Sequence, residues 1–472
     1  MRKLNFINNF FFAFLVFYSL CTWNSYAQEK KIISFQLNKI PPEKQVQLIL
    51  RKFENEDFLT ADSAILSENS PSAQFKINNP NFKLFDLSVK NNANKAEFIY
   101  SSSDNNLSLS ADYNQLKNGS IEISNSNENK SYADLLNVIY QFDTLLSTQF
   151  YKLNGISVFS PGYKMDLLKQ EEFIEHIFKS RNMELSRIKQ KYPGTYTSDV
   201  LIPLTYFPER PTQSRYDGFR SFLNEHYFDS VDFNNPAILK HYAFSDKIFK
   251  YLSEYTEKTT DGTIKGIDVI MNSRKNNPEV NDFLFNYLLK SFIDLKTDVF
   301  ANYLMEKYSN GCSLKLGLED MKRFSKMKAL SVGGFIPEIS LPDSNNKYFS
   351  LKTYASEKKF TILYFWISWC AKCKKQTPQI SELFTQFRKK GLGVYAVSLD
   401  EKKEEWVGAL NTIKADYINV SELVPIKNSS TGPLFNISTT PKIFIINKEG
   451  KVVGKDIYGE ELNIFISNLL KN

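Results

Sequence analysis

Between Thr361 and Ile367 the chain runs seven residues without a charge and then delivers Trp369-Cys370-Ala371-Lys372-Cys373 into a lysine-rich segment. A strand that is apolar at every position has to be covered on both faces, as in parallel sheets packed between helices. A helix is expected to follow from Cys370 to about Lys390. Gly393 to Leu399 is a second buried strand, and Glu404 to Ile413 reads as helix. Ile443 to Ile446 and Lys451 to Val453 flank the turn Asn447-Lys448-Glu449-Gly450, and Glu461 to Leu470 is a closing helix. This order predicts an α/β domain over residues 333–472, a sheet flanked by helices.

With 472 residues, 42% of them hydrophobic, the chain is long enough for two or three cored domains. Residues 28–160 read as a β-rich domain, in the manner of a sandwich. Leu107, Leu109, Ala111 and Tyr113 alternate with polar partners, as do Phe85, Leu87 and Val89, the pattern of half-buried strands. One helix interrupts near Tyr132 to Ser147, with Leu135, Ile139, Phe142 and Leu146 on one face. Residues 161–332 read as helical. Leu167, Ile174, Ile177, Leu185 and Ile188 form a stripe stopped by Pro193-Gly194. Leu284, Leu288, Phe292, Leu295, Val299 and Tyr303 form another, read as one helix from Pro278-Glu279 to Asn310-Gly311. Stripes of this kind are core positions rather than a ligand groove.

The N-terminus reads as an address. Arg2 and Lys3 precede the 12-residue apolar run Phe10 to Cys21, too short to span a bilayer, and Ser25-Tyr26-Ala27 supplies a small-residue cleavage site. A signal peptide over residues 1–27, cut after Ala27, predicts export. The mature chain then keeps Cys312, Cys370 and Cys373, too few to staple a large exported protein. Net charge is +7 and falls to +5 without Arg2 and Lys3, with no long basic run, so nucleic acid is not an expected partner.

What remains is the purpose of the pair. A thiolate, not a thiol, attacks a disulfide. Cys370 stands where a helix begins, so unpaired N–H groups and the helix dipole face its sulfur. Lys372 and Lys374 add positive charge and are expected to tune it. Cys373 lies one turn on, on the same side, where it can resolve a mixed disulfide formed by Cys370. A structural zinc site needs about four ligands. His176, His226 and His241 all lie outside this region, and Cys312 alone does not complete a set. Cys312 itself, after Asn310-Gly311, reads as a quiet thiol. A retained but idle redox pair is the remaining alternative.

The stretch from Trp369 to Cys373 resembles the redox motif of thioredoxin-fold proteins. Pro378, five residues after Cys373, resembles the proline that kinks the first helix of that fold, and Thr440-Pro441 resembles its cis-proline loop. With Gly334 to Ser350 and the extra strand–helix unit of Gly393 to Ile413, these features resemble TlpA-like envelope thioredoxins over about 140 residues. The resemblance implies a thiol–disulfide oxidoreductase with Cys370 as nucleophile and Cys373 as resolving thiol. It further implies that Trp369, Thr440 and Pro441 contact substrate and that no bound cofactor is needed. The implied partners are protein disulfide substrates and a membrane thiol electron donor, in the periplasm or cell envelope. Reduction, as in cytochrome c maturation, is the implied direction. An envelope binding or assembly module whose thioredoxin-like domain mainly docks a partner is the competing reading. Two positions depart from the family. Tyr364 stands where thioredoxins carry a buried carboxylate, and Gln376 where TlpA-like proteins place a glutamate. Both acids would assist proton transfer at Cys373.

Overall fold

A computed structural model describes residues 31–471 apart from 78–82, 102, 103, 105, 158, 211–217, 414 and 415. The expected signal peptide lies outside the described residues. The chain divides into two compact units, Met1–Phe283 and Leu284–Asn472.

The first unit opens with strands β1 (Lys31–Asn38), β2 (Val46–Glu54), β3 (Asp57–Leu66), β4 (Ser72–Ile77), β5 (Lys83–Val89), β6 (Ala96–Tyr100), β7 (Leu107–Asp112) and β8 (Glu122–Ile123). They form two four-stranded sheets, ordered β4-β1-β7-β8 and β3-β2-β5-β6. Period-two patterning decides what faces inward: Ile33, Phe35 and Leu37 of β1 and Leu107, Leu109 and Ala111 of β7 are buried in register. Leu48, Leu50, Leu87 and Phe98 of the other sheet join the same core. Each such side chain contributes about 1.5–3 kcal/mol on burial. β2 and β3 are joined by Asn55-Glu56 at φ +54° and +65°, the type I′ geometry that matches strand twist. β5 departs from the expected alternation: Leu84 to Ser88 are all buried. The polar face is covered because Asp86 is held by Arg51, whose Nε donates to Oδ1 at 2.9 Å.

Two long helices follow in this unit, α1 (Asn127–Asn154) and α2 (Tyr163–Lys191). α1 is longer than the expected Tyr132–Ser147 because it is capped earlier. The Ser126 Oγ accepts from the Asn129 N–H at 3.1 Å, and Asn129 in turn pairs with both backbone groups of Ile99 on β6, at 2.7 and 2.8 Å. α2 buries Ile174, Ile177, Leu185 and Ile188 as the stripe requires.

The expected helix from Pro278-Glu279 to Asn310-Gly311 is two helices, Pro278–Asp294 and Asp298–Tyr308. The break is a Schellman-type end: Lys296 sits at φ +58° and the Thr297 N–H returns to the Phe292 carbonyl at 2.9 Å. Leu295 and Val299, read as core, are consequently exposed. In the second unit Asp298 pairs with Lys455 at 3.0 Å, joining the second of these helices to the C-terminal domain.

The C-terminal domain holds a short hairpin of β9 (Ser340–Pro342) and β10 (Tyr348–Ser350), then β11 (Phe360–Trp366), α3 (Ala371–Phe387), β12 (Leu392–Ser398), α4 (Lys403–Ile413), β13 (Ile418–Ser421), β14 (Lys442–Asn447), β15 (Val452–Lys455) and α5 (Gly459–Lys471). Its mixed five-stranded sheet is ordered β13-β12-β11-β14-β15, with β11–β12–β13 parallel and β14 and β15 antiparallel. β11 is central, which is why its residues are apolar throughout. Leu363 and Phe365 enter one core with Phe435 and Phe444. Ile362, Tyr364 and Trp366 enter the other with Ile380 and Leu383 of α3 and Leu462 and Ile466 of α5.

Candidate active site

The two cysteines sit at the end of the central strand. From β11 the chain passes through Ile367, Ser368 and Trp369 to Cys370, the N-cap of α3. Buried Asp400, two residues beyond β12, fixes this loop. Its carboxylate accepts from the Ser368 Oγ at 2.7 Å and the Ser368 N–H at 3.2 Å, and from the Ser398 Oγ at 2.7 Å. Sequence reasoning missed Asp400, which opens the charged run Asp400 to Glu405 and reads there as a solvated surface acid.

Cys370 and Cys373 are both thiols, with unequal surroundings. Cys370 is half-buried, and its Sγ accepts from the Cys373 N–H at 3.4 Å. It donates to the Thr440 carbonyl at 3.5 Å. Thr440-Pro441 is a cis peptide, and its Thr440 carbonyl lies beside the Cys370 sulfur. Burial pulls the Cys370 pKa upward, but hydrogen bonds from the Cys373 side chain and N–H, the Thr440 side chain and the Lys372 backbone together pull harder, leaving it below its ordinary value. Lys372 and Lys374 are both exposed, and the contribution of Lys372 comes from its backbone. Cys373 is 1% exposed, and burial first, then its bond to Cys370, pushes its pKa up to about 11.

Trp369, expected to meet substrate, is 67% exposed beside the pair. It borders a groove of about 840 Å³ between α3 and α4, with Trp366, Pro378, Ala409 and Ile413 on its walls. Pro378 lies inside α3, as expected.

The two positions that lack the family's acids are both buried. The Tyr364 hydroxyl pairs with Thr377 Oγ1 at 2.8 Å, and Thr377 donates to the Cys373 carbonyl at 2.8 Å. The Tyr364 phenol is raised by burial first and then by the neighbouring Cys373. Gln376 accepts from the Gly459 N–H at 3.0 Å through Oε1, while its Nε2 has no partner among the described residues. Tyr458, also missed in the sequence, donates to the Pro441 carbonyl at 3.2 Å and to Asp456 at 3.1 Å. Its phenol is raised by burial, then by Asp456, and to a lesser degree by Cys373. Among the described residues no group of His, Cys, Asp and Glu has the arrangement of a metal site. Cys312 lies elsewhere, half-buried.

This asymmetry predicts selective chemistry. Limited iodoacetamide treatment at pH 7 is expected to label Cys370, whose lowered pKa puts more of it in the thiolate form, and to spare Cys373 until the pH approaches about 11. Peptide mass spectrometry reads the label, and equal labelling of both would contradict the assigned asymmetry.

The AhpC/TSA family matches residues 332–455. The chain is 27% identical over 148 residues to "Thiol-disulfide oxidoreductase ResA" of Bacillus cereus (strain ATCC 10987 / NRS 248), covering 31% of this chain and 82% of that protein. It is 29% identical over 130 residues to the protein of the same name from Bacillus subtilis (strain 168), covering 28% and 69%. Among solved structures, a thiol-disulfide oxidoreductase from Bacteroides fragilis NCTC 9343 aligns at 25% identity with a TM-score of 0.27, covering 29% of this chain and 98% of that one.

Proposed function

From a chain whose residues 332–455 form an AhpC/TSA-type thioredoxin-fold domain, we infer a protein thiol–disulfide oxidoreductase that works as an exported disulfide reductase. The observation that carries the reading is the unequal pair: a half-buried Cys370 with a lowered pKa beside a buried Cys373 raised to about 11. The first is built to attack and the second to wait.

The Cys370 thiolate attacks one sulfur of a substrate disulfide. An S–S bond forms between Cys370 and substrate, and the other substrate sulfur leaves as a thiolate. Cys373 then loses its proton and attacks the Cys370 sulfur, releasing the second substrate thiolate. The substrate gains two electrons and the domain ends as a Cys370–Cys373 disulfide. A thiol donor at the membrane restores the dithiol. Trp369 offers substrate an apolar face next to the groove, and the backbone of Thr440 and Pro441 lies beside the reacting sulfur for an extended substrate segment to pair with. Lys372 and Lys374 stand at the rim of the site. Direction follows from what stabilises the thiolate. Hydrogen bonds partly cancelled by burial lower Cys370, with no cationic side chain among the causes, so the reduced form is not strongly favoured. That supports a reductant, and cytochrome c precursors are one substrate class such a reductant serves.

Mixing the reduced chain with a disulfide-linked peptide tests this directly. One substrate disulfide is expected to open per chain, with loss of both Cys370 and Cys373 thiols; an unchanged peptide would overturn the reading. Gln376→Glu is a second test. The new carboxylate would keep the bond to Gly459 and remove the unpartnered Nε2, and it would supply a proton acceptor near Cys373. Release of the mixed disulfide is expected to speed up by about tenfold or more. A rate unchanged in stopped-flow would show that proton removal from Cys373 does not limit turnover.

A further inference from the structure

The helical part of the first unit encloses a cavity of about 320 Å³ that the disulfide chemistry does not use. Its wall is mostly apolar and aromatic, with Leu135, Leu146, Phe150, Phe207, Tyr227 and Tyr255 among the lining side chains. Two cations sit deep in that wall. Arg181 and Lys247 are each 4% exposed.

Neither cation is balanced at its own depth. Arg181 donates one guanidinium N–H to the Thr205 carbonyl, and its nearest carboxylate, Asp143, is 3.9 Å away. Its Nε has no partner among the described residues. Lys247 donates to the Tyr206 carbonyl at 3.1 Å and lies over the Tyr227 ring at 4.2 Å, with no carboxylate paired to it among the described residues. The acids of the wall lie farther out. Asp246 and Glu254 are exposed, and half-buried Asp143 is shared with the exposed Lys250 at 3.5 Å. The cavity is therefore positive at its floor and negative toward solvent. Burial, and then repulsion from Arg181 and Lys250, lowers the Lys247 pKa to about 7. Buried cations with no close counter-ion destabilise a fold unless an anion meets them.

We propose that this cavity binds a small amphipathic carboxylate, its anion met by Arg181 and Lys247 and its apolar body against the aromatic wall. A neutral apolar ligand leaves Lys247 with no carboxylate and Arg181 with only the distant Asp143. A cationic one is repelled from the floor. A dianion such as phosphate gains nothing from the aromatic surface and passes the outer carboxylates at a cost. The inference is independent of the disulfide chemistry and gives the first unit a ligand-binding role.

Calorimetric titration of the full chain at pH 6, where Lys247 is charged, with octanoate, 1-octanol and octylamine tests it. Octanoate is expected to bind at least about tenfold more tightly than octanol, and octylamine not to bind. Lys247→Met, which keeps the side-chain volume and removes a buried charge, is expected to weaken octanoate by about tenfold or more and leave octanol unchanged. Octanoate binding no tighter than octanol, or indifferent to Lys247→Met, overturns the proposal. So does no binding of octanoate at all. Should the variant fail to fold, the ranking of the three ligands on the unmodified chain decides alone.

Discussion

Cys370→Ser is expected to lower disulfide exchange by about a thousandfold or more while leaving the fold intact. Serine is nearly isosteric, and as the N-cap of α3 its hydroxyl accepts the Cys373 N–H as the sulfur does now. What it lacks is a group that ionises near neutral pH and attacks sulfur. Cys373 does not take over the task. It is 1% exposed and its pKa stands at about 11, so the pair's second thiol is neither accessible nor charged. Circular dichroism and a disulfide-reduction assay on the same sample separate the two effects. Retained exchange with a retained fold would mean that Cys370 is not the attacking group.

The opposite substitution has an equally large effect of a different kind. Cys373→Ser is expected to leave the first attack in place and stop the second. Cys370 still presents its sulfur with hydrogen bonds from the backbone and Thr440. With no second thiol to resolve it, the mixed disulfide accumulates to near one substrate per chain. Non-reducing electrophoresis followed by peptide mass spectrometry reads that trapped bond. Turnover at the normal rate would show that substrate or solvent thiols resolve the intermediate, and the role given to Cys373 would fall.

The elements legible in the sequence are those where local pattern and tertiary role coincide. Thr361 to Ile367 reads as a buried strand because β11 is central and covered on both faces. Cys370 and Cys373 read as a pair because helical spacing places both at the start of α3. The failures have physical causes too. β13, with the sequence Ile-Asn-Val-Ser, is too short and mixed to show a period, although two of its residues are buried. The stripe from Leu284 to Tyr303 runs through Lys296, whose left-handed conformation breaks the helix and turns Leu295 and Val299 outward. No side-chain periodicity signals that break.

Polar residues that act at a distance were the least visible. Asp400 and Tyr458 reach the site from 30 and 88 positions beyond Cys370, brought there by β12 and by the turn before α5. Arg181 and Lys247 look like ordinary solvated charges on amphipathic helices, and their burial depends on which helices pack over them.

The direction of electron flow is read from the reduction potential of the Cys370–Cys373 couple, measured by equilibrating the chain in defined thiol–disulfide buffers. A value of about −270 mV, that of thioredoxin, is expected, because no cationic side chain is among the groups that hold the Cys370 thiolate. A value of about −120 mV, that of a strong oxidant, would contradict a reductase and reverse the direction of electron flow.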